Sequence, residues 1–150
     1  MGCASLESVT LPKNIAKIDG SAFKNCTSLK SITIPGSVKE ICFFAFQNCT
    51  ALAAVNLEEG LETIGASAFQ ACTSLKKVTI PASVTEIGLN VLRGCSALEE
   101  VEFKKTSGWW STLNYDHTDS KSVDVGDARK NAERFIKSYE FDSYNILFRE

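Results

Sequence analysis

The sequence has no surplus of positive charge and no long apolar run. Lys and Arg total 16 against 18 Asp and Glu, so few cations are left over to neutralise a phosphate backbone or an anionic membrane. No stretch approaches the roughly 18 consecutive apolar residues of a membrane span, and the N-terminal residues lack the basic start and apolar run of a signal peptide. We therefore expect no nucleic-acid partner, no insertion into a membrane, and no signal peptide or anchor in this chain.

Catalytic and metal-binding motifs are also missing. The only histidine, His117, stands in a polar segment that is typical of a loop. The chain contains no Gly-x-Ser-x-Gly, no His-Glu-x-x-His and no Cys-x-x-Cys. We expect no enzyme activity, no cofactor and no metal. An enzyme that uses Cys42 or His117 is kept as a third functional class, which rapid and selective alkylation of Cys42 in the folded protein would indicate.

What the sequence does have is a 23-residue repeat. Five of the six cysteines keep this spacing, and three further apolar columns follow it. The columns are Cys3, Cys26, Cys49, Cys72 and Cys95; Leu6, Leu29, Leu52, Leu75 and Leu98; Val9, Ile32, Val55, Val78 and Val101; and Leu11, Ile34, Leu57, Ile80 and Phe103. One unit cannot bury its apolar side alone, whereas stacked units share a continuous core. A solenoid is therefore predicted.

Each unit predicts one short strand. The segment at residues 29–34 is β-branched and alternates over its second half, and Pro35 ends it because proline cannot donate to a ladder. Five such copies, stacked in parallel about 4.8 Å apart, would build a sheet roughly 20 Å wide. Glu58 and Lys104 stand where the other units have proline, so the third and fifth strands are expected to have softer stops.

The rest of each unit forms a return arm. Val38, Ile41, Ala45 and Phe46 have a spacing of three to four residues, which predicts a turn of helix that folds Phe46 over the core. Gly65 and its equivalent Gly88 mark a turn in this arm, at a column that Asp19 and Cys42 occupy in the first two units.

The unit resembles the BspA-like leucine-rich repeat in its Leu-x-x-Ile-x-Ile-Pro strand, its Val-x-x-Ile-Gly turn and its Ala-Phe-x-x-Cys closure. The resemblance covers residues 3 to about 104. It implies an α/β repeat solenoid, a right-handed superhelix with a parallel β-sheet on its concave face and short helical or irregular return arms. It also implies a secreted or surface-displayed bacterial protein that binds other proteins, often host components.

The chain divides into residues 1–105, a solenoid of about 4.5 repeats, and residues 106–150, predicted to be a small α+β cap packed on the last repeat. Helical spacing joins Ala128, Ala132, Phe135, Ile136 and Tyr139, and strand-like alternation joins Tyr144, Ile146 and Phe148. The pattern begins at Cys3 without a capping segment, which predicts an exposed apolar edge. Three alternatives are open: the edge is the boundary of a longer chain, another surface covers it, or the natural chain is short. A monomer or a weak end-to-end dimer is expected.

The periodic cysteines are interpreted as small apolar side chains in a buried column rather than as disulfides, because neighbouring Cβ atoms about 4.8 Å apart exceed the roughly 3.5–4.5 Å of a disulfide. Asn25-Cys26-Thr27 and Asn48-Cys49-Thr50 match the glycosylation pattern. Both asparagines occupy one repeat column, so they are interpreted as turn residues.

Alternation along the strands leaves polar columns on the exposed concave sheet, and these form the predicted protein-binding face. Its members are Ser8, Thr10, Lys30, Ser31, Thr33, Ala54, Asn56, Lys76, Lys77, Thr79, Glu99, Glu100 and Glu102. The leading hypothesis is a non-enzymatic protein–protein interaction module of an adhesin-like surface protein, whose partner is a host or matrix protein. The alternative is a structural spacer in a larger surface protein with no binding site of its own. Binding predicts that charge changes at Lys77 or Glu100 alter partner capture without altering stability.

Overall fold

The computed structural model describes residues 2–112, 121–136 and 146–149. Along the solenoid, short strands alternate with long strands. A C-terminal segment adds a helix and three more strands. The elements are β1 (Lys17–Ile18), β2 (Ser31–Ile34), β3 (Glu40–Ile41), β4 (Ala54–Leu57), β5 (Thr63–Ile64), β6 (Lys77–Ile80), β7 (Glu86–Ile87), β8 (Glu100–Phe103), β9 (Trp109–Thr112), β10 (Lys121–Ser122), α1 (Ala128–Ile136) and β11 (Ile146–Arg149).

The short strands form one continuous sheet, which we call the short-strand face. β1, β3, β5 and β7 pair in parallel and in register, so that Ile18, Ile41, Ile64 and Ile87 stack on one another. β11 then pairs antiparallel with β7 and with β9, and β9 pairs with β10. The C-terminal segment therefore extends this sheet beyond the last short strand and covers its edge.

The long strands form the other face, the long-strand face, which is the sheet predicted to be concave. Their in-register pairing confirms the repeat, since Ile32 lies beside Val55 and Val78 beside Val101. The expected continuous five-stranded sheet is wrong in detail. Four strands are present, in two hydrogen-bonded pairs, β2–β4 and β6–β8, and the first copy at residues 6–11 is not a strand.

Proline explains this pairing. The amide of Glu58 donates to the carbonyl of Ile34 (3.1 Å), and that of Lys104 donates to the carbonyl of Ile80 (3.0 Å). Pro35 and Pro81 occupy the same column in the alternate coils and have no N–H to donate. The two positions that depart from the repeat therefore add one bond at the end of the ladder that joins each pair.

The predicted turn of helix in the return arm is wrong. In each of the four described arms, a non-glycine residue adopts a left-handed backbone with φ between 56° and 61°, at Ser21, Phe44, Ser67 and Asn90. Such residues break a helix. The arm instead makes tight turns whose alternate amides bond to the next coil, as when Phe23 donates to the carbonyl of Ala45 (2.8 Å).

The core runs without interruption between the two faces. In its phenylalanine column, the Phe46 ring stacks between Phe23 and Phe69 at centroid distances of 5.1 and 5.2 Å. The cysteine and leucine columns flank it and are almost fully buried from Cys26 and Leu29 onward. In the first described coil the equivalent side chains are only partly buried or exposed.

The last coil is closed by α1, which packs against β8. Asn131 is 2% exposed, and its side-chain amide donates to the carbonyls of Val101 (3.0 Å) and Val125 (2.8 Å). It thereby satisfies a carbonyl of the outermost long strand. Trp109 is also buried, with its ring edge-on to Phe103.

The predicted helix and strand of the cap are present as α1 and β11. Asp127 caps α1 because its carboxylate accepts hydrogen bonds from the amides of Arg129 and Lys130. These bonds lower the pKa of the Asp127 carboxyl group, and the bond from Lys130 has the larger effect. Tyr139 and Tyr144 lie outside the described residues. The boundary between residues 105 and 106 stays a prediction.

Candidate functional site

The predicted binding residues lie on the long-strand face, with their apolar neighbours pointing into the core. In β2, for example, Ser31 and Thr33 are exposed whereas Ile32 and Ile34 are 4% and 1% exposed. Of the thirteen predicted binding residues, eleven are exposed, and Thr79 and Glu100 are half-buried. The structure divides them into an open half on the first three coils and a charged half on the last two.

The open half is a groove of about 770 Å³. Six predicted residues line it: Ser8, Thr10, Ser31, Thr33, Ala54 and Asn56. Within the described part of the chain, the hydroxyl and amide side chains of this group have no hydrogen-bond partner. They therefore present donors and acceptors to whatever enters the groove.

The end of the groove beyond the strands was missed by the sequence analysis. Lys13, Pro35, Gly36, Ser37 and Glu58 also line it. The Glu58 carboxylate is held in place because it accepts the backbone amide of Gly36 (3.0 Å). The departure from proline at position 58 was the available signal, but only the corner geometry places this side chain at the groove.

The charged half is internally paired. Lys77 lies 3.1 Å from both Glu100 and Glu102, and Thr79 donates to Glu102 (3.5 Å). Hydrogen bonds to Glu102 and then to Glu100 raise the pKa of the Lys77 ammonium group. The side chains of Lys77, Glu100 and Glu102 are 36–52% exposed, so solvent screens these pairs and they contribute little to stability. They do reduce the charge that this half offers to a partner.

The outer column of predicted residues flanks both halves. Lys30 forms an exposed ion pair with Glu7 (2.7 Å), and a hydrogen bond from Lys30 lowers the pKa of the Glu7 carboxyl group. Lys76 and Glu99 are exposed and are neighbours in adjacent coils, where the Glu99 amide donates to the Lys76 carbonyl (2.8 Å).

The buried cysteines form a thiol ladder rather than a reactive site. All six cysteines are free. The Cys49, Cys72 and Cys95 thiols each donate to the carbonyl of a phenylalanine in the preceding coil, at 3.1–3.2 Å. Burial raises the pKa of Cys49 and of Cys95 to about 12, and it raises the pKa of Cys72 as well.

Cys42 lies beside the Lys17 ammonium group, which lowers its pKa, but burial and Glu40 outweigh this effect. Its side chain is 5% exposed and its thiol donates to Glu40 (3.3 Å). Burial raises its pKa, followed by the hydrogen bond to Glu40, so the thiolate is disfavoured. His117 lies outside the described residues.

The sequon asparagines are turn residues, as interpreted. Asn25 and Asn48 both have a left-handed backbone, with φ near 60°, and the Asn48 amide donates to the Asn25 carbonyl oxygen (3.0 Å). The side chains thus pair between coils rather than with backbone.

The described residues contain neither a candidate metal site nor a candidate membrane-spanning helix. No group of three or more His, Cys, Asp or Glu side chains is arranged to hold a metal ion within residues 2–112, 121–136 and 146–149. In the same ranges, no helix is long and apolar enough to cross a membrane.

Comparison with known families identifies the repeat. The family model described as "BspA type Leucine rich repeat region" matches residues 1–113 in six copies. The chain belongs to this family. Its members and the similar solved structures are leucine-rich repeat proteins, a class that is typically non-enzymatic.

Three solved structures illustrate the similarity. The T. pallidum leucine-rich repeat protein TpLRR is 32% identical, with a TM-score of 0.61 over 69% of this chain and 60% of its own. A leucine-rich repeat protein from Bacteroides ovatus is 38% identical, with a TM-score of 0.63 over 67% of this chain and 26% of its own. The pneumococcal vaccine antigen PcpA is 25% identical, with a TM-score of 0.63 over 68% of this chain and 25% of its own. The chain therefore spans less than two thirds of the length of these relatives. No curated protein is significantly similar to it.

Proposed function

We propose that this chain is a non-enzymatic protein-binding module and that the open half of the long-strand face is its binding site. The observation that carries the proposal is the groove, whose outward hydroxyl and amide groups have no partner in the described chain. Polar groups without a hydrogen-bond partner are free to contribute to recognition, whereas those of the charged half are already paired with one another.

The chemistry of the groove suits a polar protein segment. Ser31 and Thr33 are separated by one residue along their strand, and Asn56 stands beside Thr33 on the next strand. Each side chain can both donate and accept, which matches the alternating N–H and C=O groups of a peptide. The groove lacks exposed aromatic and arginine anchors, so we expect recognition by many polar contacts and modest affinity.

The proposed setting is the cell surface or the extracellular space, in an adhesin-like protein whose partner is a host or matrix protein. Two relatives support this setting by their descriptions: PcpA is a vaccine antigen, and a Faecalibacterium prausnitzii relative, 27% identical, is a leucine-rich cell surface protein. For this chain we propose a monomer, or a weak end-to-end dimer through the first coil.

A capture experiment with three variants tests the site. The folded chain is immobilised and exposed to serum and extracellular-matrix proteins, and a captured partner is then titrated against each variant. Thr33→Arg places a large side chain in the groove at an exposed position. Lys77→Glu with Glu100→Lys reverses one ion pair of the charged half. Ser96→Arg changes an exposed residue outside the long strands and serves as the matched control.

We expect Thr33→Arg to weaken capture at least about tenfold at unchanged stability, while the other two variants bind as the parent does. Loss of capture only by the variant with Lys77→Glu and Glu100→Lys would instead place binding on the charged half. Equal capture by all variants would exclude the long-strand face, and the absence of any captured protein would favour the spacer.

A further inference from the structure

Two neighbouring aromatic residues lie outside the core, in the return arm that follows β3. Phe43 is 58% exposed, and it is the only exposed large hydrophobic side chain in the part of the chain that the structure describes. Phe44 is half-buried, and its ring lies edge-on to the Phe43 ring at a centroid distance of 5.8 Å. The ring that this arm contributes to the stacked core is Phe46. Phe43 and Phe44 also line no part of the groove.

The two rings are specific to this arm. The equivalent pairs in the other described arms are Gly20-Ser21, Ala66-Ser67 and Leu89-Asn90, none of which is aromatic. Phe44 also has a left-handed backbone with φ of 58°, a conformation that is unfavourable for a bulky residue. An exposed ring and a strained neighbour that the repeat does not require point to a role in recognition.

The Phe43 ring has a fixed position before any partner binds. A Cβ atom added to Gly20 would lie 3.0–3.4 Å from the three atoms at the tip of this ring, so the ring lies over the glycine backbone of the preceding coil. The Ser21 amide donates to the Phe43 carbonyl (3.1 Å), which ties the two coils together at this point. A ring that is already ordered costs a partner little conformational entropy, and exposed aromatic rings are typical of binding hot spots.

The free charge beside the rings is positive. The Lys24 ammonium group lies 5.2 Å from the centroid of the Phe44 ring, and among the described residues Lys24 has no carboxylate partner. Asp19 and Glu40, the acidic residues of this region, share the Lys17 ammonium group at 3.8 and 3.9 Å. The arm therefore offers a partner an apolar ring with an unpaired cation close to it.

We propose that Gly20, Lys24, Phe43 and Phe44 form a second docking site, the aromatic patch, and that its occupant is an acidic, apolar segment of a partner protein. A large apolar side chain of that segment packs on Phe43, and an Asp or Glu close to it in sequence pairs with Lys24. The site is separate from the groove, so the proposal does not depend on the function proposed above.

The dimensions of the patch suit such a segment. Side chains that are neighbours on one face of a helix or one side of a strand stand roughly 5–7 Å apart. The step from the exposed ring to the Phe44 ring is 5.8 Å, and the step from there to the Lys24 ammonium group is 5.2 Å. A carboxylate within about four residues of the apolar anchor therefore reaches Lys24.

Three synthetic peptides of equal length test the chemistry of the occupant. The first carries one Trp and two Glu among the residues that follow it closely, the second has Lys in place of both Glu, and the third has Ala in place of Trp. Each is titrated into the isotope-labelled folded chain, and changes in the amide NMR spectrum give the affinity and the location of binding.

Three variants of the chain separate the ring from the charge. Phe43→Ala removes the exposed ring, and Lys24→Glu reverses the free charge. Lys76→Glu makes the same charge change at an exposed lysine of the long-strand face and serves as the matched control. The same spectra show whether each variant is folded.

We expect the parent to bind the Trp–Glu peptide at least about tenfold more tightly than the other two, with shift changes at Lys24, Phe43 and Phe44. Phe43→Ala should weaken binding of this peptide about tenfold. Lys24→Glu should reverse the preference toward the Trp–Lys peptide, which a simple loss of stability would not do. Lys76→Glu should bind as the parent does.

Three results would overturn the proposal. A parent that prefers the Trp–Lys peptide would assign the patch to a basic partner. Shift changes at Ser31 and Thr33 in place of the patch would put the peptide in the groove. Absence of binding of the Trp–Glu peptide at millimolar concentration would show that the exposed ring is not a docking site.

Discussion

The two faces of the solenoid are built from the same repeat but are held together differently. On the short-strand face every coil bonds to the next, with the amides of Cys42, Gly65 and Gly88 donating at 2.7–2.9 Å to the preceding coil. On the long-strand face the strands bond in pairs, and the junction between β4 and β6 lacks the proline-column donor at Pro81. One face is a continuous scaffold, and the other is interrupted and carries the groove.

Side chains follow the same division. The columns of the return arms, which follow the short strands, are buried side chains that contact their equivalents or the backbone of the neighbouring coil. They are the stacked phenylalanine rings and the thiols that donate to carbonyls. The outward columns of the open half of the long-strand face end in hydroxyl and amide groups that have no partner within the described chain. A repeat protein can thus place stability and recognition on different sides of one coil, because each side is governed by different columns of the repeat.

The largest effect is expected in the stacked phenylalanine column. Phe46→Ala removes a fully buried ring between two others, which should lower the free energy of unfolding by about 3–5 kcal/mol in chemical denaturation. Phe43→Ala, in the same arm but 58% exposed, is the matched control and should cost less than about 1 kcal/mol. Equal losses would mean that the ring stack does not hold the scaffold.

Closure of the last coil gives the next effect. Asn131→Leu keeps the number and branching of the side-chain heavy atoms but leaves the buried carbonyls of Val101 and Val125 without their donor. We expect a loss of about 2–3 kcal/mol in unfolding free energy, since buried acceptors without partners are costly. Lys130→Ala, exposed on the same helix, should stay close to the parent. A neutral Asn131→Leu would show that α1 does not close the long-strand face.

The thiol ladder makes stability fall at alkaline pH. Burial raises the folded-state pKa of Cys49 and Cys95 to about 12, above the ordinary thiol value of 9.0, and raises that of Cys72 in the same sense. The neutral thiols therefore stabilise the fold fully below pH 9, and this contribution is lost as the pH rises toward the folded-state values, by about 1.4 kcal/mol per pH unit for each thiol.

Denaturation at several pH values checks this slope. Cys72→Ala should reduce the slope of unfolding free energy against pH by the contribution of one thiol. Thr73→Ala, at an exposed position without a titrating group, should leave the slope unchanged. An identical slope in Cys72→Ala would contradict the assignment of the alkaline effect to the ladder.

A smaller effect is expected from exchanging the two kinds of junction. Glu58→Pro removes the amide that bonds to Ile34, so it should cost about 1 kcal/mol, and Glu58→Gln, which keeps that amide, should cost less. Pro81→Glu supplies an N–H facing Leu57 and should be neutral or stabilising by a few tenths of a kcal/mol. Urea denaturation measures both. A stabilising Glu58→Pro together with a destabilising Pro81→Glu would show that proline does not interrupt the long-strand face.

Much of this fold could be predicted from the sequence. The repeat columns predicted the positions of the four long strands, the inward residues such as Ile32 and Val78, and the buried cysteines. They did not predict the short strands, which form the continuous sheet. The return arm could not be predicted, because turns with a left-handed residue at Ser21 or Phe44 place apolar side chains at the same spacing as a turn of helix. What distinguishes them is hydrogen bonding between coils, which is not a local property of the sequence.

The site was predictable to a similar extent. Alternation identified Ser31, Thr33 and Asn56 as outward-facing, which the structure shows them to be. Alternation does not reveal which outward residues are already paired, as Lys77 is, nor that Glu58 turns at a corner to line the groove. Both depend on contacts between coils. The binding role of the face stays a proposal.

Amide hydrogen exchange measured by NMR tests the contrast between the two faces most directly. Ala53 and Glu99 donate their amides to the preceding coil at 2.9 and 2.8 Å, whereas the equivalent amide of Lys76 has no such bond in the described chain. We predict slow exchange at Cys42, Gly65 and Gly88 throughout the short-strand face, and slow exchange at Ala53 and Glu99 but fast exchange at Lys76 on the other. Uniform protection of Ala53, Lys76 and Glu99 would contradict an interrupted long-strand face.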